Sequence, residues 1–197
     1  NSSPVFTSSS SFTVAENQTN AAAITVTDAD GDLISFSLSG ADSDSFSISS
    51  SGALTFNNAP DYETKELYSL VITASDGTSA VSQTVSIAIS NVNEVPQISA
   101  LSPTQTPDEN QASVVTVSAS DPDANTTLTY SVSGTDSSLF AITSSGVLTF
   151  RSSPDYETPG DADGDNNYQI NVLVSDGSLS VTQAITVQVQ NVADLIS

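Results

Sequence analysis

The chain has no cysteine, methionine, tryptophan or histidine, and only two cationic side chains, Lys65 and Arg151, in 197 residues. Each absence closes a class of function. Without Cys there is no disulfide framework. Without Cys and His, zinc clusters and the Ser-His-Asp and Cys-His relays have no parts. Two cations against 23 Asp and Glu give a net charge of -21. Such a chain cannot neutralise a phosphate backbone, so no nucleic acid is expected as a partner. No apolar run approaches the ~20 residues of a membrane-spanning helix, and no membrane insertion by this fragment is expected. No basic segment leads into an apolar run, so any secretion signal is cut off or lies outside this fragment. Neither a P-loop nor a G-x-S-x-G elbow is present.

High net charge and abundant Ser and Thr favour disorder. What is present argues against it, because the apolar residues are patterned. Ile24 and Val26 alternate with Thr; Phe36/Leu38 and Phe46/Ile48 alternate with Ser. Tyr68, Leu70, Ile72 and Ala74 share one phase, as do Val85, Ile87 and Ile89. Period-two alternation bounded by Gly, Asp, Asn and Pro predicts half-buried antiparallel strands with a wet Ser/Thr face.

The chain also repeats itself. VAENQ at Val14 returns as PDENQ at Pro107, and DADGD at Asp28 as DPDAN at Asp121. SSGALTF at Ser50 returns as SSGVLTF at Ser144, and PDYET at Pro60 as PDYET at Pro154. ASDGT at Ala74 returns as VSDGS at Val174, and NVNE at Asn91 as NVAD at Asn191. One residue is added near Asn125 and six after Thr158. A period of roughly one hundred residues means tandem domains, since solenoid units run to about 20–50. The expected domains are residues 1–95 and 96–197, with an acidic insertion at 159–167. Each is expected to be an all-β Greek-key sandwich of about seven strands.

The acids are grouped, mostly at strand ends. Residues two apart on an extended segment project together, so Asp61 pairs with Glu63 and Asp121 with Asp123. Paired carboxylates repel unless a cation joins them. An oxygen-only ligand set suits calcium, whereas zinc and copper want His or Cys. Solvated acidic turns are the plainer alternative, but turn preference accounts poorly for clusters recurring in register.

The ordered motifs resemble a cadherin repeat, and they do so twice, over essentially the whole chain. An acidic AEN or DEN is followed by a DxD, a DYE, an SDG and an NxN-type linker before Pro. The NVNE-x-P and DYE variants look more like the bacterial cadherin-like type, from a larger surface or secreted protein. The resemblance implies two or three Ca²⁺ at the repeat junction. It assigns Glu16, Asp61 and Glu63 from the first repeat, Asn91, Asn93 and Glu94 from the linker, and Asp121, Asp123 and Asp176 from the second repeat. It also implies half-sites at Asp28, Asp30 and Asp76, and at Glu109, Asp155, Glu157, Asn191 and Asp194. Asn91 and Glu94 stand where the family usually has Asp, and Ala193 replaces a linker Asn.

Asp161, Asp163 and Asp165 in the insertion form a further D-x-D-G-D loop. It lacks the Gly and Glu placement of an EF-hand. The resemblance implies a non-catalytic, calcium-rigidified adhesion or spacer module, extracellular or at a cell surface, with homotypic protein contact as one partner. A calcium-dependent carbohydrate-binding module is the alternative, with polysaccharide as partner and Tyr62 and Tyr156 as the only aromatics outside the strand phase.

Overall fold

The computed structural model describes residues 1–193. The chain divides after Val92 into two compact units. Among the described residues no helix is long and apolar enough to cross a membrane.

The first unit contains β1 (Val5–Phe6), β2 (Ser11–Ala15), β3 (Asn20–Ala23), β4 (Val26–Thr27), β5 (Ser35–Ser39), β6 (Phe46–Ile48), β7 (Ala53–Phe56), β8 (Leu67–Ser75) and β9 (Ala80–Ser90). The second contains β10 (Gln97–Ser99), β11 (Thr104–Gln105), β12 (Ser113–Thr116), β13 (Ser118–Ser120), β14 (Thr129–Ser133), β15 (Phe140–Ile142), β16 (Val147–Phe150), β17 (Asn167–Ser175) and β18 (Ser180–Gln188). Seven strand runs become nine segments because two are interrupted. One break falls between β1 and β2, the other between β3 and β4, and the second unit breaks at the same places.

In the first unit a four-stranded sheet, β2-β9-β8-β5, faces a three-stranded sheet, β3-β7-β6. The second repeats this as β11-β18-β17-β14 and β12-β16-β15. The first run is shared between sheets: β1 pairs with β4, whereas β2 joins β9. Alternation alone suggests antiparallel strands throughout. The β2–β9 and β11–β18 pairings are instead parallel. Periodicity reports which face is buried and says nothing about strand direction, which the long connections allow here.

The period-two phase is the buried phase. Leu70, Ile72, Ala74, Val85 and Ile87 close the first core, and Ile170, Val172, Val174, Ile185 and Val187 the second. Each such Val, Leu or Ile side chain contributes about 1.5–3 kcal/mol of hydrophobic stabilisation. An aromatic trio sits in each core. Phe46, Phe56 and Tyr68 pack at 4.5–5.6 Å between centroids, and Phe140, Phe150 and Tyr168 at 4.4–5.9 Å. The edge-to-face geometry of the Tyr contacts is the favoured one. One turn is sterically fixed in both units. A Cβ on Gly52 would lie 2.1 Å from the Ile24 carbonyl oxygen, and one on Gly146 2.2 Å from that of Val117. Both glycines also have positive φ, so Gly is required twice over.

Candidate metal centres

The lower end of the first unit is organised by a buried glutamate. Glu16, at the end of β2, is 3% exposed. Its Oε1 accepts the Val92 amide at 2.8 Å and its Oε2 the Tyr62 amide at 2.8 Å. One carboxylate thus ties the segment leaving β9 to the turn that carries Asp61 and Glu63. That turn is not extended. Asp61 caps it, accepting from the Thr64 amide at 2.9 Å and the Thr64 hydroxyl at 3.0 Å. The two carboxylates converge because the backbone folds over, not because they alternate along a strand. Glu63 accepts from Asn91 Nδ2 at 2.9 Å. One oxygen from each of Glu16, Asp61 and Glu63 falls within 4.8 Å of the others.

The second unit copies this end. Glu109, also 3% exposed, accepts the Tyr156 amide at 2.9 Å and the Val192 amide at 2.8 Å. Those two amides hold its carboxyl below the usual range. Asp155 accepts from the amides of Glu157 and Thr158, and Asn191 donates to Glu157 at 2.6 Å. Glu109, Asp155 and Glu157 form the equivalent trio. Asp194 lies outside the described residues.

The upper ends carry the DxD motifs. In the first unit Asp28 Oδ1 accepts the Asp30 amide at 2.9 Å, and Asp28, Asp30 and Asp32 form a trio. Asp76 is not a member of that trio. The Ser79 and Thr78 amides hold its carboxyl low. In the second unit Asp121 Oδ1 accepts the Asp123 amide at 2.9 Å. Among the described residues, Asp121, Asp123 and Asp176 do not converge as a trio. The linker bonds to them instead. Asn93 Nδ2 donates to Asp176 at 2.8 Å, and the Glu94 amide donates to Asp123 at 2.8 Å. The Asn93 amide group is the first cause of Asp176's lowered pKa, followed by the Ser178 and Leu179 amides.

The residues at the N-terminus were not among the sequence-predicted ligands. Asn1 Nδ2 donates to Asp76 at 3.0 Å and the Ser2 amide to Asp30 at 2.5 Å. These bonds reproduce those of Asn93 and Glu94. The signal lies in the spacing: Asn1 precedes Pro4 by three residues, as Asn93 precedes Pro96.

A bound cation can be tested against atoms left without partners. Asp28 Oδ2 and Asp121 Oδ2 are both buried and accept no hydrogen bond. They occupy equivalent positions, the first Asp of each DxD. A buried carboxylate oxygen with no donor is costly. Finding the same orphan twice fits a ligand oxygen awaiting a metal. The donor set, carboxylate and amide oxygens alone, fits a hard cation such as calcium.

The remaining acidic trio is Asp161, Asp163 and Asp165, in the loop between β16 and β17. Asp161 accepts the amides of Asp165 at 2.9 Å and Asn166 at 3.2 Å. Asp163's carboxyl is pushed up by its bond to Asp161 and by the charge of Asp165. Of the two candidate aromatics, Tyr62 packs half-buried against the first core, whereas Tyr156 is exposed.

The sequence profile of the cadherin domain matches residues 10–91 and 104–190. The sequence matches no curated protein. Among solved structures, human protocadherin-24 EC1-2 superposes with a TM-score of 0.67 at 21% identity, covering 97% of this chain and all of that one. Mouse cadherin-23 EC22-24 gives 0.59 at 24% identity, over 98% of this chain and 66% of that one. Drosophila N-cadherin EC1-4 gives 0.60 at 21% identity, over 95% and 49%. At these identities the likeness concerns the fold, whereas the profile covers most of the sequence in two consecutive copies. The chain belongs to the cadherin family, as a tandem pair of cadherin domains.

Proposed function

We propose that this domain pair is a calcium-rigidified adhesion or spacer module, part of an extracellular or cell-surface protein of the bacterial cadherin-like type. The observation that carries the calcium reading is the pair of orphaned oxygens, Asp28 Oδ2 and Asp121 Oδ2. Glu16, Asp61 and Glu63 are the ligands proposed from the end of the first repeat, and Asp121, Asp123 and Asp176 from the start of the second. Asn91, Asn93 and Glu94 belong to the covalent link between them, and two or three ions are the proposed complement. Asp28, Asp30 and Asp76, and Glu109, Asp155, Glu157 and Asn191, are proposed as half-sites of the same kind.

The residues explain how binding becomes stiffness. Glu16 orients the chain leaving the first repeat through the Val92 amide. Asp123 and Asp176 orient the next residues through Glu94 and Asn93. The linker Asn91–Glu94 is thus gripped by carboxylates from both sides in sequence. Calcium, when bound, supplies the positive charge that cancels the mutual repulsion of these acids. Protein cations are too few to do this: the chain has only Lys65 and Arg151, and Lys65 is paired with Asp42. The work is positional and non-catalytic, and adhesion through a second copy of the chain is the proposed partner mode.

The test is small-angle scattering with calcium and with chelator, together with calorimetric titration. Calcium is expected to narrow the distribution of interdomain distances and to raise Tm by mass action. Identical scattering curves in both conditions would sink the proposal. Asp121→Asn is expected to reduce the number of ions bound.

A further inference from the structure

We propose that the loop inserted in the second repeat is a separate calcium site, with Asp161, Asp163 and Asp165 as anionic ligands and Asn166 as a neutral oxygen donor. It lies outside the motifs that the two repeats share, and the first repeat has no counterpart. Three carboxylate oxygens approach within 4.8 Å. Asp161 is 8% exposed, so its charge is largely removed from water. The inserted loop, residues 159–167, contains no Lys or Arg, and of the chain's two cations Lys65 is ion-paired with Asp42.

A second observation points to a ligand. Asn166 is also 8% exposed. Its backbone amide bonds Asp161 Oδ1 at 3.2 Å, which seats the residue against the acids. Its Nδ2 donates to the Tyr156 carbonyl at 3.0 Å, and its Oδ1 is buried and accepts nothing. A desolvated carbonyl oxygen with no donor carries an unpaid penalty. A cation shared with three carboxylates satisfies it. The loop is already held in place. Gly160's amide donates to the Tyr168 hydroxyl at 3.1 Å, and Ala162's amide to the buried Asp136 at 2.9 Å. Calcium rather than magnesium fits, because an irregular loop offers oxygens without octahedral regularity.

The test uses the whole chain. Calorimetry counts calcium ions, and terbium luminescence excited through tyrosine reports the loop beside Tyr168. Asp163→Asn and Asp163→Ser alter an exposed residue, and their melting in chelator checks that the fold is intact. Each is expected to bind one ion fewer than the parent and to lose part of the terbium emission. Asp121→Asn is expected to keep the emission of this loop, so failure of the linker reading and failure of this one are distinguishable. An unchanged ion count and unchanged emission in both Asp163 variants would overturn the proposal.

Discussion

The two repeats solve one local problem in different ways. In the first, Asp42 precedes a short 3₁₀ turn and bonds the Lys65 ammonium and, at 2.7 Å, the Ser69 amide. Lys65 also lies 4.5 Å from the centre of the Tyr68 ring. In the second, Asp136 takes the same place, but the insertion has displaced the lysine position. The Ala162 amide now fills it at 2.9 Å, with the Gln169 amide at 2.6 Å. One acid is matched by a partly exposed ammonium and one amide, the other by two backbone amides. The carboxylate reads donor geometry, so a loop amide substitutes for a charge. It also gains burial, since Asp136 is only 4% exposed.

The comparison can be broken from its strongest point downward. Gly52→Ala and Gly146→Ala should cost about the same, ~3 kcal/mol or more. Each combines positive-φ strain with overlap against a backbone carbonyl. Thermal unfolding of the two variants in chelator checks this, and a twofold disparity would mean that the turns are not equivalent. Next, Asp136→Ala should destabilise by about 2–3 kcal/mol, because it leaves two part-buried amides without their acceptor. Asp42→Ala should cost only ~1 kcal/mol, its partners being a partly exposed lysine and the exposed Ser69 amide. Denaturant titration reads the difference, and equal values would remove the distinction between the repeats.

The smallest effect is a pH dependence at Asp42. Lys65, then the Ser69 amide, hold the Asp42 carboxyl below its ordinary value. A lowered folded-state pKa favours the folded state at every pH above the unfolded value of ~3.9. That contribution disappears as the pH falls through the folded value. Lys65→Met should therefore flatten the acid limb of the stability curve below about pH 4. Melting curves in chelator across that range check it, and an unaltered limb would show that the pair contributes nothing.

Much of this was legible in the sequence for one physical reason. A sandwich buries every second residue, so Tyr68, Leu70, Ile72 and Ala74 announce their face by spacing alone. Repetition in register showed that the acids are clustered, and the resemblance to a cadherin repeat is what grouped Glu16 with Asp61 and Glu63, and Glu109 with Asp155 and Glu157. What spacing could not carry was backbone direction and hydrogen bonding. Nothing in SFTVA says that β2 runs parallel to β9. Nothing in PDYET says that its acids meet through a turn. The role of Asn1 and Ser2 escaped because their motif is short and its Asp partners are distant in sequence. Asp32 was visible as an acid, but only the fold shows that it, and not Asp76, closes the trio with Asp28 and Asp30.

The parallel pairing of β2 with β9, and of β11 with β18, has a mechanical consequence. When a repeat is pulled by its two ends, β2 and β9 are drawn along each other in opposite senses. The load falls on their hydrogen bonds together, in shear, and they cannot open one at a time like a zipper. In the first repeat this contact spans five residue pairs, Ser11↔Ser86 to Ala15↔Ser90. In the second it is two pairs plus the isolated bridge of Asp108 with Gln190. Under tension the second repeat has the shorter clamp, and the pair carries a built-in order of yielding.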